Sequence, residues 1–178
     1  MSSTEKSEFA TQARKRIAEL VDPLPPGPVA VAFSGGPDSL AAALLCSGLP
    51  GRSFELFTVE HNLREGVRET HRRLAELAGA LSLPLRREEI VPGTIEAGAD
   101  GIEATARKER YAALARLAER YGAVAIIAAH HRDDQVETLL LGLLRGAPET
   151  ALGGMVERRE LPLPAGGRVA LLRPLLSW

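Results

Sequence analysis

An apolar run, Val29-Ala30-Val31-Ala32-Phe33, leads straight into Ser34-Gly35-Gly36-Pro37-Asp38-Ser39 and then into Leu40-Ala41-Ala42-Ala43-Leu44-Leu45. No other stretch constrains the fold as strongly. A Pro/Gly cluster, Pro25-Pro26-Gly27-Pro28, precedes the run, which therefore reads as a buried parallel strand. The segment after the loop reads as a helix closed by Gly48 and Pro50. Between strand and helix, two glycines let a ligand approach the backbone closely. Ser34 and Ser39 add hydroxyls, and the free N–H groups of the helix's first turn, at the positive end of its dipole, attract phosphate. This is not a Walker A loop, which needs Gly-x4-Gly-Lys-Ser/Thr. Asp38 stands in the first turn instead. A carboxylate beside bound phosphates repels them unless a divalent cation lies between, so the loop predicts Mg²⁺ together with a nucleotide. The plainer alternative is a Gly-Gly turn with an Asp and a Ser capping a helix.

Helix and strand patterns alternate through the rest of the chain. A charged helical lead-in, Phe9 to Leu20, falls in a segment bounded at residues 1–24. Strand 29–33, helix 38–47 and strand 54–59 follow. Val67, Thr70, His71, Leu74, Leu77, Ala78 and Leu81 mark a helix by their spacings of three and four. Leu83-Pro84-Leu85 opens a third strand ending near Val91, and 92–101 is a loop. Ile102 to Tyr121 is a long helix, 123–129 a fourth strand, Asp133 to Arg145 a helix with Val136, Leu139, Leu140, Leu143 and Leu144 on one face, and 169–172 a fifth strand. Such alternation means an α/β fold, a parallel five-stranded sheet with helices on both faces, binding its ligand at the carboxyl ends of the strands. At 178 residues, with residues 25–178 as the nucleotide-binding unit, the chain is long enough to bury a proper core. Its single cysteine, Cys46, excludes a disulfide framework and any Cys-x-x-Cys metal or iron–sulfur site within the chain. No apolar run approaches membrane-spanning length and no hydrophobic signal core opens the chain, so a cytoplasmic protein is expected. The net charge of −1 argues against a surface that is basic overall. The chain stops at Leu176-Ser177-Trp178 directly after a strand, which reads as truncation.

A second constellation, His130-His131-Arg132-Asp133-Asp134-Gln135-Val136-Glu137-Thr138, begins where the fourth strand ends. Asp133, Asp134 and Glu137 crowd one helix start at spacings of three and four. The dipole favours one or two negative charges there. Three carboxylates flanked by histidines suggest a cationic ligand: a metal, an amine, or both. An Asp N-cap with a solvated acidic first turn explains Asp133 but leaves His130 and the Asp134/Glu137 pair without a role.

The first loop resembles the SGGxDS loop of the PP-loop ATP pyrophosphatases, which cleave ATP between the α- and β-phosphates. The second constellation, with Arg145-Gly146 and Leu152-Gly153-Gly154-Met155, resembles the HxxDDxxET, RG and GLxGM pattern of bacterial tRNA(Ile)-lysidine synthetases. Val59-Glu60-His61-Asn62-Leu63-Arg64 is similar to that family's motif after the second strand, with Glu60-His61-Asn62 standing where the family has D/H-H-G. Ile102-Glu103-Ala104-Thr105-Ala106-Arg107, followed by Arg110-Tyr111, resembles its IEAxARxxRY helix, and Leu172-Arg173-Pro174-Leu175-Leu176 its IRPLL. The matches run in family order from Val29 to Leu176. On this resemblance, the family's further helices and C-terminal tRNA-binding regions are expected to lie beyond Trp178.

The resemblance implies a ligase that attaches L-lysine to C2 of the wobble cytidine in a CAU-anticodon isoleucine tRNA. ATP adenylates the C2 oxygen, and the lysine amine then displaces AMP. It implies ATP and Mg²⁺ as cofactors, tRNA(Ile) and lysine as partners, and leaves a homodimer open. Ser34, Gly35, Gly36, Pro37, Asp38 and Ser39 would bind ATP. Asp38 would position Mg²⁺, with Asp133 as a second candidate ligand. Asp38, Arg107 and His130 would be catalytic: Arg107 balances charge on the phosphates, unless it merely pairs with Glu103, and His130 contacts phosphate or carries a proton. Asp134 and Glu137 would hold the lysine ammonium groups, and His61 and Arg64 would lie beside the nucleotide. The alternatives are another PP-loop tRNA-modifying enzyme, such as a thiolase, for which Cys46 alone on a helix is a poor nucleophile, or a non-catalytic nucleotide-binding module of the universal-stress type.

Overall fold

The computed structural model describes residues 3–61, 67–90, 102–144, 146 and 153–178. Its elements run α1 (Ser3–Val21), β1 (Val29–Ala32), α2 (Pro37–Ser47), β2 (Phe54–His61), α3 (Val67–Leu81), β3 (Leu85–Ile90), α4 (Ile102–Tyr121), β4 (Ala125–Ile127), α5 (Arg132–Leu144), β5 (Arg158–Pro162) and β6 (Arg168–Leu172). They build one sheet in the order β3-β2-β1-β4-β6-β5. The four pairings from β3 through to β6 are parallel, and β5 returns antiparallel along β6. The expected α/β architecture is present, but the expected five parallel strands become six, one of them reversed. The missed strand, Arg158-Arg159-Glu160-Leu161-Pro162, is polar because it sits at an edge with only Leu161 buried. Pro162 is tolerated at such an edge. The hairpin to β6 closes through Gly166 and Gly167, both at positive φ.

Alternation of side chains along β1 divides the core into two layers. Val29, Val31 and Phe33 face α1, α2 and α3, where Ala13, Ile17, Ala42, Ala43, Leu74 and Ala78 complete the packing. Ala30 faces the other way, with Phe57 and Ile126, onto Leu114, Leu117 and Ala118 of α4. The lead-in helix is thus part of the core, since Ala13, Ile17 and Val21 are buried beneath it. Helix α5 differs from expectation in its burial. None of its residues is buried, and Val136, Leu140, Leu143 and Leu144 stay exposed, because no described element lies over its apolar face. The loop expected at 92–101 lies outside the described residues.

Chain connections leave β1 in one direction to β2 and reach β4 in the other. The switch point therefore falls between β1 and β4, and a crevice opens there at the carboxyl ends of the strands.

Candidate active site

The loop after β1 occupies one wall of that crevice. Ser39, buried on the first turn of α2, donates its hydroxyl to the Gly36 carbonyl at 3.0 Å and lies 3.2 Å from the Ser34 hydroxyl. The Ser34 N–H reaches Ser39 Oγ at 3.3 Å. These bonds hold the loop in a fixed curl. Gly35 has φ +78°, and a Cβ there would meet Leu74 Cδ2 of α3 at 2.5 Å, so glycine is required both by conformation and by space. Gly36 is the N-cap of α2 and makes no side-chain cap; Pro37, which has no N–H to satisfy, follows it. The first-turn amides of α2 are therefore not consumed by a capping side chain, and they face the crevice with the helix dipole behind them.

The opposite wall comes from the segment after β4 and the start of α5. Asp134 Oδ2 accepts the His131 backbone N–H at 2.8 Å, which orients its carboxylate. His131 Nδ1 accepts the Asp133 N–H at 3.3 Å, so the neutral ring carries its proton on Nε2. That Nε2 lies 3.8 Å from Asp38 Oδ2 and 3.6 Å from Asp134 Oδ2. The two carboxylates, one from each wall, thus converge on the same imidazole. A cleft of about 500 Å³ lies between the walls, lined by Ser34, Gly36, Asp38 and Ser39 on one side and His130 and Asp134 on the other. Arg107, Arg110 and Tyr111 of α4 line it as well.

Beneath the cleft lies a buried cation. Arg173, at the end of β6, is 1% exposed. Its Nε donates to His130 Nδ1 at 3.2 Å, and its Nη1 donates to the Val156 carbonyl at 2.6 Å. Burial, and after it the Arg173 charge, push the His130 imidazolium down to about 4. His130 is therefore neutral near pH 7 and presents Nε2–H. Burial alone would raise the Tyr111 phenol, but a hydrogen bond from Arg173 and the charge of Arg107 outweigh it and lower the pKa. Gln135 fastens the remaining edge. Its amide accepts the Met155 N–H at 2.6 Å and donates to the Met155 carbonyl at 2.9 Å, while Met155 Sδ lies 3.6 Å from Arg107 Nη2.

Of the residues singled out from sequence, the cleft brings together Ser34, Gly36, Asp38, Ser39, Arg107, His130 and Asp134. Gly35 and Pro37 shape the loop without lining the cleft. Asp133 and Glu137 are exposed on α5 and are not in the cleft wall. His61 ends β2, with its side chain outside the described residues, as are Arg64 and the side chain of Glu103, the alternative partner of Arg107. Sequence reasoning missed Arg173 and Gln135 as organisers of the site. The signal for Arg173 was an arginine directly after the apolar run 169–172 and just before a proline.

A doubly wound sheet with an uncapped, glycine-rich strand–helix loop at its switch point defines a nucleotide-binding α/β domain. Residues 9–178 match the PP-loop domain family, and the chain belongs to it. Over 157 residues it is 45% identical to the tRNA(Ile)-lysidine synthase of Novosphingobium aromaticivorans, covering 86% of this chain and 45% of that protein. Over 168 residues it is 44% identical to the tRNA(Ile)-lysidine synthase of Salinispora tropica, covering 92% and 47%. The chain thus spans about half the length of these curated relatives. Among solved structures, the U34-tRNA thiolase NcsA of Methanococcus maripaludis, with its [4Fe-4S] cluster, has a TM-score of 0.68 at 15% identity, covering 97% of this chain and 61% of that one. A predicted subunit of a tRNA methyltransferase from Methanocaldococcus jannaschii has a TM-score of 0.50 at 18% identity, covering 86% and 70%. Both likenesses concern the fold alone. No helix among the described residues is long and apolar enough to cross a membrane.

Proposed function

We propose that this domain carries out the ATP-dependent step of tRNA(Ile) lysidine formation, in which C2 of the wobble cytidine of a CAU-anticodon tRNA is adenylated and L-lysine then displaces AMP. One observation carries the reading: the cleft joins an uncapped phosphate loop to an oriented carboxylate, Asp134, in a chain more than 40% identical to lysidine synthases across most of its length. The loop amides, with Ser34 and Ser39, bind the pyrophosphate portion of ATP. Asp38, 60% exposed and facing the cleft, suits a Mg²⁺ ion, with Asp134 across from it and the exposed Asp133 further out. When bound, the ion supplies charge neutralisation between Asp38 and the phosphates. Arg107 stabilises negative charge that builds on the phosphates. His130, neutral with Nδ1 held by Arg173, serves as an Nε2–H donor to a phosphate or adenylate oxygen.

Asp134 and, further along α5, Glu137 receive the lysine ammonium groups, since a cation needs carboxylate partners when drawn out of water. Lys108, Arg116 and Arg159 surround a neighbouring groove beside Arg107 and give tRNA phosphates a basic approach to the cleft. A thiolase chemistry is disfavoured by Cys46, which is buried on α2 with its thiol pushed up to about 12 by burial. The test is pyrophosphate release with ATP, the isoleucine tRNA and lysine, followed by labelled-lysine incorporation into the tRNA. Release that requires tRNA, with incorporation that requires lysine, is expected. Release without tRNA, or incorporation of sulfur instead of lysine, would refute the reading.

A further inference from the structure

Glu60 is the buried carboxylate that the cleft does not use. Phe57 and Val59 of β2 face the cleft, so Glu60 points to the other face of the sheet, toward α3. Its side chain is nine-tenths buried. One oxygen, Oε2, meets His71 Nε2 near the start of α3. The other, Oε1, is enclosed and finds no hydrogen-bond partner among the described residues. Glu89 stands directly opposite Glu60 in the β2–β3 register. One ligand atom from each of Glu60, His71 and Glu89 lies within 4.8 Å of the other two.

Such an arrangement is costly as a purely protein cluster. An enclosed carboxylate oxygen without a donor loses its hydration with nothing in return. A second carboxylate within a few ångströms adds like-charge repulsion. A divalent cation offsets that repulsion and gives Glu60 Oε1 the partner it lacks among the described residues. We propose that Glu60, His71 and Glu89 hold one divalent transition-metal ion of the zinc class, separate from the Mg²⁺ of the nucleotide cleft. One imidazole and two carboxylates make a three-ligand set that leaves a place for water. The imidazole favours zinc over the harder magnesium. The ion ties α3 to β2 and β3. Leu74, one turn beyond His71, is the side chain packed beneath Gly35, so the metal braces the support of the phosphate loop from the far side of the sheet. This proposal does not depend on the lysine-ligation reading.

Equilibrium dialysis against Zn²⁺ in excess Mg²⁺, with metal analysis and thermal melts, tests it. One zinc per chain and a raised melting midpoint are expected. H71Q and E89Q should each weaken zinc about 10–100-fold or more, whereas D38N/D134N, which strips the nucleotide cleft of carboxylates, should retain it. If H71Q does not fold, E89Q on the exposed edge strand carries the same expectation. Failure of wild-type protein to bind zinc, or zinc lost in D38N/D134N and kept in folded E89Q, overturns the assignment.

Discussion

Arg173→Met tests how much the buried guanidinium adds to burial itself in keeping His130 unprotonated. Methionine keeps most of the volume and removes the charge and every side-chain donor. The Val156 carbonyl and His130 Nδ1 then lose their partners, a cost of about 1–3 kcal/mol each, partly offset because a buried charge no longer has to be desolvated. A net loss of about 2–4 kcal/mol lowers the melting midpoint of a chain this long by roughly 5–15 °C. The second consequence is specific to the site. In the wild type His130 titrates at about 4, against an ordinary value of 6.5. Between those pH values the unfolded chain binds a proton that the folded chain does not. The contribution of neutral His130 to stability is therefore complete above 6.5 and is lost as pH falls toward 4. Allowing for solvent screening of a ring that is not fully buried, the loss across this window is about 2 kcal/mol. Without Arg173 the pKa rises, while burial still holds it below the ordinary value, and the window narrows. Imidazole NMR titration, with H130Q assigning the resonance among the four histidines, reads this directly. An Arg173→Met protein whose His130 still titrates at about 4, or a wild type titrating near 6.5, would refute the argument.

Other perturbations separate the parts of the cleft. Asp38→Asn should cut pyrophosphate release by orders of magnitude while moving stability by less than about 0.5 kcal/mol, since the side chain is exposed; near-normal release would remove Asp38 from the machinery. Asp134→Asn should raise the lysine KM about 10- to 150-fold, from the loss of roughly 1.5–3 kcal/mol of charged hydrogen bonding, and change the ATP KM far less. Equal effects on both substrates would favour a metal role instead. Gly35→Ala should lose about 2–3 kcal/mol of stability in a denaturant melt, from its φ of +78° and the collision with Leu74. Gly36→Ala, whose Cβ meets only Ser34 Oγ at 3.5 Å, should keep stability and weaken ATP binding by titration calorimetry. The chain alone should bind the isoleucine tRNA only weakly in filter assays at moderate salt, given its net charge of −1; sub-micromolar, sequence-selective binding would contradict this.

The parts of the fold that sequence made legible are those written in local pattern. The β1–loop–α2 unit carries its own punctuation: apolar run, two glycines, Pro37 at the helix start and Gly48 at its end. β4 was also legible as a purely apolar segment, although its ladder covers only Ala125–Ile127 of the run 123–129. β5 carried no such signal. A charged edge strand with one buried side chain reads as a loop, and only the Gly166-Gly167 turn ahead of β6 hinted at a hairpin. α5 misled in the opposite sense. Its Val and Leu periodicity is real, but periodicity fixes a face and does not say whether anything covers it.

The site divides along the same line. Asp38 and Asp134 could be found because each lies on the first turn of a helix that follows a strand, where topology alone aims it at the switch point. Glu137 has the same motif membership and one more helical turn, and that turn carries it out of the cleft wall. Arg173 could not be found this way, because its role depends on contacts made across 43 and 17 residues of chain. Its charge is useful where it is because it cannot escape to water. Fully buried, with one nitrogen on a backbone carbonyl and another on His130, it fixes the histidine's tautomer and adds its charge to the burial that keeps the ring neutral. The cleft then presents its cations from Arg107 and Arg110 and a neutral donor from His130, so that positive charge lies along α4 and the carboxylates lie across from it on α2 and α5. Such a layout would let a polyphosphate bridge the α2 loop amides and the α4 arginines while Asp134, on the opposite wall, keeps a place for a cation.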